Sequence, residues 1–362
     1  MSDAMSPLKP DWREARQRMT DWWAGKKTDR VPAHVVAPMP GAWPKPDARL
    51  PQKFTDPETV FRNLDLRLQS TFWGAEAFPT HDIYLGAMFG CTFFGCEPTF
   101  HKGGAWYRSP FRGWEDADRI RFDPGNRWWR LARELTLRSV RRSGGRHLTT
   151  VGGIGAAFDL FAEFFGAEKT LLAMLDEPER VKALRDRIIA WGKETYDEVH
   201  DQVAAHQEGS IDGMGMWAPG RVRYVQCDLC VTMSPAMFSE FVREEIRAFM
   251  DHVDHGIYHL DGHEQIRHLD ALLSIESLKV IQYVPVSKLP VPPGGFHRDP
   301  MEWIDLFRRI QEAGKKLFII CPPERIRPLL DRISREGVFL SVGCRDVEAA
   351  RQSIAEIERI GM

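Results

Sequence analysis

The chain has 362 residues, of which 43% are hydrophobic and 28% are charged, and its formal net charge is −2. These values are typical of a soluble globular protein with one large or two ordinary domains. The balanced charge argues against nucleic acid or a membrane surface as an electrostatic partner.

The N-terminal region and the cysteines indicate a cellular compartment. Residues 1–18 are polar and interrupted by proline, unlike a secretory signal peptide. No apolar run approaches the roughly 20 residues that cross a bilayer. The six cysteines show no secreted disulfide framework. We therefore expect a cytoplasmic protein with reduced thiols.

Short apolar runs alternate with amphipathic stretches along the chain. A helix over 11–23, with the paired Trp22 and Trp23, is expected to plug or flank the rest of the fold. The predicted strands are 31–38, 80–86, 148–153, 210–217, 256–261, 279–284, 316–321 and 338–344. The predicted helices between them are 57–72, 128–142, 166–175, 177–206, 235–252, 264–273, 300–313, 323–335 and 346–360.

Eight strand–helix units in a chain of this length predict an α/β protein built as one closed (β/α)₈ TIM barrel over 1–362. A doubly wound open sheet is the alternative, but the glycine-rich stretch 152–155 lacks the GxGxxG pattern of such folds. Residues 87–127 break the alternation and are rich in glycine, cysteine and aromatic residues. They predict a β-hairpin insertion after the second strand, lying over the barrel mouth.

Candidate functional residues lie at the ends of the predicted strands, where the active sites of such barrels are found. His259, Asp261 and, if the strand persists, His263 alternate onto one face. Imidazole and carboxylate groups that converge there suit a divalent metal or acid–base catalysis, and His263 is a candidate catalytic residue. Cys321 and Cys344 end the last two strands and are candidate thiolate ligands of a metal.

Further candidates follow from position. Trp217 ends the fourth predicted strand and Gln282 lies near the end of the sixth, so both are predicted to contact substrate, as is Cys227 in the loop after the fourth strand. Asp228 beside it is a candidate catalytic carboxylate. Asp159, after the glycine turn of the third strand, is either catalytic or a cap of the helix that follows.

Several stretches resemble the uroporphyrinogen decarboxylase-like superfamily, and more narrowly its uncharacterised branch near the corrinoid-dependent zinc methyltransferases. The stretches that carry the resemblance are 22–23, 29–32, 176–180, 226–228, 234–238, 258–262, 268–273 and 281–285. They extend over nearly the whole chain. The resemblance implies a (β/α)₈ barrel, in agreement with the predicted strands.

The resemblance also implies a metal site. Methyltransferase members hold zinc through a His-x-Cys pair and a distant cysteine, which correspond here to His259, Asp261 and Cys344. Cys321 is the other candidate thiolate. A carboxylate thus replaces one thiolate, and the harder donor would make zinc more Lewis-acidic, which favours polarising an oxygen over binding a thiol.

At two places the sequence differs from known motifs, and both differences bear on the function. Decarboxylase members grip a polycarboxylate substrate with an arginine-rich motif, but the corresponding stretch 37–44 contains no arginine, which argues against porphyrinogen decarboxylation. Residues 261–266 begin like the Asp-x-His-x-x-Gly loop of cobalamin modules but end in Ile266. A corrinoid is therefore expected on a separate protein that docks at the barrel mouth.

Three functions remain open. The first is a zinc-dependent methyltransferase that moves a methyl group between a small O- or N-methyl compound and a corrinoid protein. The second is a metal-assisted decarboxylase, lyase or hydrolase acting on a small organic acid or sugar derivative. The third is a ligand-binding barrel without turnover, which a fold alone does not exclude. A homodimer is compatible with each of them.

Overall fold

The computed structural model of the protein describes residues 8–284 and 299–362. Pro285, which ends one stretch of the resemblance, lies outside them. The strands are β1 (Ala33–Pro38), β2 (Thr71–Ala75), β3 (Thr80–His81), β4 (Glu97–His101), β5 (Gly104–Arg108), β6 (Leu148–Thr149), β7 (Ser210–Ile211), β8 (Trp217–Ala218), β9 (Val222–Val225), β10 (His255–Asp261), β11 (Leu278–Val284), β12 (Lys316–Ile320) and β13 (Val338–Gly343).

The helices surround these strands. They are α1 (Trp12–Trp23), α2 (Gln52–Thr55), α3 (Pro57–Ser70), α4 (Arg127–Ser143), α5 (Ala157–Phe165), α6 (Ala167–Asp176), α7 (Pro178–Ala204), α8 (Pro235–Met237), α9 (Arg243–Met250), α10 (Leu269–Leu273), α11 (Ile304–Glu312), α12 (Ile326–Leu330) and α13 (Val347–Ile360). Side-chain caps fix several starts: Asp56, Asn126 and Asp346 accept hydrogen bonds from first-turn N–H groups of α3, α4 and α13. In the described residues no helix is both long and apolar enough to cross a membrane.

The central sheet is mixed and mostly parallel. Seven strands are hydrogen-bonded in the order β2-β1-β13-β12-β11-β10-β9, and only β1 and β2 are antiparallel. β3 and β6 form a short parallel pair, and β7 and β8 a short antiparallel pair. Across the described residues, the strand pairings give this seven-stranded sheet and not the predicted closed ring of eight.

The fourth predicted strand, 210–217, differs most from expectation. Asp212 accepts hydrogen bonds from the backbone N–H groups of Met214 (3.0 Å) and Met216 (2.9 Å), and these bonds close a turn. The chain then reverses, and β8 runs back along β7 with Trp217 opposite Ile211. Strand β9, which the sequence analysis did not predict, takes the place beside β10.

The two faces of the parallel strands belong to different cores. Along β10, Tyr258 and Leu260 lie in the main core with the helices, whereas Ile257 lies in a second, inner core. That inner core also contains Val280 of β11, Phe318 of β12 and Phe339 of β13. By strand alternation, His259 and Asp261 share the inner face with Ile257 but lie nearer the carboxyl ends of the strands.

Helix α1 covers the inner core, as the sequence predicts. The indole of Trp22 donates to the carbonyl of Val338 (3.1 Å), and that of Trp23 donates to the carbonyl of Trp217 (2.9 Å). Val338 is the first residue of β13, so α1 lies at the amino ends of the strands. The opposite, carboxyl end of the inner face is left for polar side chains.

The predicted insertion contains the expected hairpin. Strands β4 and β5 pair antiparallel within 87–127, from Glu97 opposite Arg108 to His101 opposite Gly104. Before it, the short 3₁₀-helix Phe89–Phe94 is fully buried against the main core. The insertion is therefore anchored to the body of the protein by aromatic packing.

Candidate active site

A group of polar side chains, the strand-end cluster, lies where β10 and β11 end. It comprises Asp228, His259, Asp261 and Gln282. Register places His259 directly beside Gln282, and His259 Nδ1 is hydrogen-bonded to Gln282 Oε1. Because the amide oxygen only accepts, Nδ1 carries the proton and the lone pair of the neutral ring lies on Nε2. Nε2 lies 4.0 Å from Asp261 Oδ2.

Asp228 completes the strand-end cluster from the loop after β9. Burial, and next the charge of Asp261, raises the pKa of Asp228, while His259 acts in the opposite direction. Asp228 Oδ2 also accepts a hydrogen bond from Gln226 Nε2 (3.0 Å). The cluster can thus hold and exchange a proton between an imidazole and two carboxylates.

Next to the cluster is a cavity of about 320 Å³. It lies beyond the carboxyl ends of β3, β6, β7 and β9, and Gln226 lies in its wall. One part of the wall is polar, with Asp82, Thr150, Asp212 and Tyr224. Another is aromatic and apolar, with Phe89, Phe93 and Trp129. Such a mixture is typical of a small-molecule site.

Two carboxyl groups of the wall, Asp82 and Asp212, are called the acid pair below. Burial, together with the charge of Asp82, raises the pKa of Asp212 to about 7, against the three backbone N–H groups that stabilise the carboxylate. Burial also raises the pKa of Asp82, against Arg67 and the hydroxyl of Thr150. Near neutral pH, Asp212 is therefore present in both protonation states.

Asp159 also lines the cavity, behind the strand-end cluster. Burial raises its pKa to about 8, with Asp228 as the next contributor. Its Oδ1 accepts the backbone N–H of Leu229 (3.0 Å), so it fixes the loop that carries Asp228. It lies in the first turn of α5 and is not the N-cap of that helix, which is Ala156.

The two predicted thiolate ligands lie away from His259. Cys321 and Cys344 belong to the main core on the helix-covered side of the sheet, and Cys344 Sγ lies 3.6 Å from Ser353 Oγ of α13. Alternation along the strands explains this placement, because successive side chains point to opposite faces of a sheet. Cys321 follows the inner-facing Phe318, and Cys344 the inner-facing Phe339, by an odd number of residues, so both cysteines lie on the opposite face. Within 8–284 and 299–362, no three histidine, cysteine, aspartate or glutamate side chains are grouped so as to hold a metal ion.

The other predicted residues lie in three different environments: the surface, the main core and the inner core. His263 is half exposed and pairs with Glu264 at 3.1 Å. Cys227 is fully buried in the main core, where burial raises the pKa of its thiol. Trp217 is buried in the inner core, and its indole donates to the carbonyl of Glu208 (3.1 Å). Trp217 begins β8, so its predicted position at the end of a strand is wrong, whereas its contact with substrate stays a prediction.

The acid pair was not among the residues predicted from the sequence. Asp82 lay within the predicted strand 80–86, although β3 ends at His81, immediately before it. Asp212 lay within the predicted strand 210–217, although β7 ends at Ile211. Each is thus the first residue after a strand, and shorter strand limits would have revealed both.

The buried charge of Asp212 gives a testable dependence of stability on pH. An unfolded aspartate ionises near 3.8 and the folded one near 7, so the folded state binds more protons between these values and loses stability as pH rises. Asp212→Asn keeps the acceptor oxygen for Met214 and Met216 but carries no charge. We expect the free energy of unfolding of Asp212→Asn, relative to that of the wild type, to increase by about 2–3 kcal/mol between pH 5 and pH 8.

Urea unfolding at both pH values measures this difference. The matched control is Asp305→Asn, because the Asp305 side chain is 99% exposed and its loss should shift stability equally at both pH values. An advantage of Asp212→Asn that does not change with pH would show that Asp212 carries no buried charge.

Comparison with known proteins identifies the fold but no family. No protein-family model matches the sequence. No curated protein is significantly similar to it. Among solved structures, a methyltransferase from Methanosarcina mazei superposes with a TM-score of 0.62 at 13% sequence identity, over 96% of this chain and 98% of that chain. Nearly the whole chain thus shares the fold of that protein.

Proposed function

We propose that the protein is a methyltransferase that moves a methyl group between a small O- or N-methyl compound and a corrinoid carried by a separate protein. The observation that carries the proposal is the fold shared with a methyltransferase over 96% of the chain. The cavity and the strand-end cluster support it, because they supply a small-molecule site at the carboxyl ends of the parallel strands. The corrinoid acceptor is taken from the sequence resemblance.

The proposal extends to the fold. The inner core combines residues of β6, β7, β8, β9 and β10 with β11, β12 and β13. A backbone hydrogen bond from Val151 N to Ile211 O (3.3 Å) joins the chain after β6 to β7. Both observations support a barrel of the uroporphyrinogen decarboxylase-like type in which three strands are short and irregular.

In the proposed reaction, the cavity binds the methyl donor and the strand-end cluster supplies the proton. The donor lies in the cavity with its methyl carbon toward the acceptor. The electron pair of the acceptor forms the new bond to the methyl carbon, and the bond to the donor heteroatom breaks with its pair left on that atom. His259 supplies a hydrogen bond or a proton to this heteroatom, and Gln282 fixes the ring through Nδ1. Asp261 Oδ2 lies 4.0 Å from Nε2 of this ring, and Asp228 is the second carboxylate of the cluster.

Zinc is implied by the sequence resemblance, and the described residues offer only part of its predicted ligand set. His259 and Asp261 lie on the inner face, but Cys321 and Cys344 do not. The arrangement therefore does not fit the predicted three-ligand site, and the mechanism above uses side chains alone.

A methyl-transfer assay tests the proposal. Purified protein is incubated with single methyl ethers or methylamines and with free cob(I)alamin, and methylcobalamin is followed by its absorbance. We expect methylcobalamin to accumulate with at least one donor and only with enzyme present. Donor consumption without methylcobalamin, and with loss of carbon dioxide or uptake of water, would contradict the proposal.

That contrary outcome would favour a second candidate function, a decarboxylase, lyase or hydrolase acting on a small organic acid or sugar derivative. The acid pair is the observation that speaks for it, because a carboxyl group whose pKa is about 7 can both donate and accept a proton at neutral pH.

A further inference from the structure

Among the described residues, one buried carboxylate oxygen of the acid pair has no hydrogen-bond donor. Asp212 is only 2% exposed, and its Oδ2 is buried and receives no hydrogen bond from the described residues. Its other oxygen is occupied by the N–H groups of Met214 and Met216. A buried carboxylate oxygen without a donor is costly, so a group that donates to it or neutralises it would stabilise the site.

The space beside the acid pair is kept open by a glycine. A Cβ at Gly213 would lie 3.7 Å from Tyr224 Oη and 3.8 Å from Asp82 Oδ1. Tyr224 and Asp82 therefore converge above residue 213, directly next to Asp212. Burial, and next Asp212 and Asp82, raises the pKa of Tyr224 to about 12, so this phenol stays neutral. A carboxyl group and a phenol thus face one small space in the cavity wall, and Asp212, the residue before Gly213, lines the same cavity.

We infer that the substrate carries an ammonium group that binds between Asp82 and Asp212, apart from the methyl group that is transferred. A cation there would receive the free lone pairs of Asp212 Oδ2 and relieve the repulsion between the two carboxylates. The aromatic wall with Phe89, Phe93 and Trp129 would take the apolar part of the same molecule. This inference rests on the proposed function, which supplies the transferred methyl group at the other end of the substrate.

The geometry separates the two ends. The acid pair lies in the cavity wall, whereas the strand-end cluster adjoins that cavity through Gln226 and Asp228. An ammonium anchor at the acid pair would orient the rest of the molecule toward His259, and such orientation is a large part of catalysis. The anchor would thereby select amino-bearing donors over neutral ones.

The protonation of the acid pair sets the expected pH dependence. The groups that face it are Arg67 of α3, Thr150 after β6 and Tyr224 of β9. His34 of β1 lies beside the turn that follows Asp212, because a Cβ at Gly215 would lie 3.1 Å from its ring. Burial lowers the pKa of His34 to about 4, so it is neutral above pH 5. A bound ammonium favours the ionised carboxylates, so its affinity should rise from pH 5.5 to pH 8.

Calorimetric titration with benzylammonium and with its neutral counterpart benzyl alcohol tests the inference on the full chain. We expect benzylammonium to bind at least about ten-fold more tightly than benzyl alcohol at pH 8, as one charge-assisted hydrogen bond would provide. Asp212→Asn should remove this preference and leave the affinity for benzyl alcohol unchanged, whereas Asp305→Asn should alter neither. Gly213→Val, which fills the space but keeps both carboxylates, should weaken the binding of benzylammonium.

Equal affinities of the wild type for the two ligands, or a preference that survives in Asp212→Asn, would overturn the inference. Neither result would affect the proposed function, because methyl transfer from a neutral donor to cob(I)alamin is measured separately. Conversely, selective binding of benzylammonium by a protein that transfers no methyl group would leave the ammonium site in place and remove the methyltransferase proposal.

Discussion

His259→Ala is expected to lower kcat for methyl transfer by about 100-fold or more, the range typical of removing a positioned acid–base group. The physical reason is that His259 is held in place by the hydrogen bond of Nδ1 to Gln282, while Nε2 stays available for the substrate, 4.0 Å from Asp261 Oδ2. Steady-state rates of methylcobalamin formation at saturating donor measure the effect. A matching loss in Gln282→Leu, with a shifted pH profile, would indicate that Gln282 positions the ring.

The control for this substitution is His206→Ala, which removes an exposed imidazole just beyond the end of α7. Its rate should equal that of the wild type. Zinc bound at one equivalent in the wild type and lost in His259→Ala would support the metal site that the resemblance implies. A His259→Ala variant that retains its fold and more than half of the wild-type rate would remove His259 from the proposed mechanism.

Trp217→Ala is expected to lower the free energy of unfolding by about 3–5 kcal/mol, as for other large aromatic residues truncated in a core. Its ring is buried beside Phe78 and Arg16, with a ring-centroid distance of 5.8 Å to Phe78. The substitution also removes the hydrogen bond that its indole donates to the carbonyl of Glu208. Chemical denaturation of the two proteins measures the loss.

This prediction separates a packing role from substrate binding. The milder Trp217→Phe keeps an aromatic ring in the inner core, and it should keep the wild-type KM for the methyl donor while losing some stability. A Trp217→Phe variant of normal stability but with a KM raised ten-fold or more would restore the role that the sequence suggested.

Alternation along β10 was readable from the sequence. A period of two placed His259 and Asp261 together and Tyr258 on the other face, and the structure places Tyr258 in the main core beside Gln265. The hairpin within 87–127 and the plugging role of α1 followed from composition and from the paired tryptophans. These features depend on local periodicity, which a single sequence records well.

The acid pair and the thiols were not predictable in the same way. The side chain of Asp212 accepts hydrogen bonds from the backbone N–H groups of Met214 and Met216, so an apparent strand of eight residues becomes a two-residue strand, a turn and a returning strand. Cys321 and Cys344 were placed correctly at the ends of strands, but they lie on the face of the sheet opposite to His259. The prediction took into account how far along the strand each cysteine lies and neglected that successive side chains alternate between the two faces. The error at Asp212 arises from strand limits that are uncertain by a few residues.

The most direct test of the proposed methyltransferase is the fate of a ¹³C-methyl label in the donor assay, followed by NMR. We expect the labelled carbon to move intact, with its three hydrogens, from the donor heteroatom to cobalt, and demethylated donor to form in equal amount. A label that stays on the original heteroatom while another bond of the substrate is cleaved would contradict it.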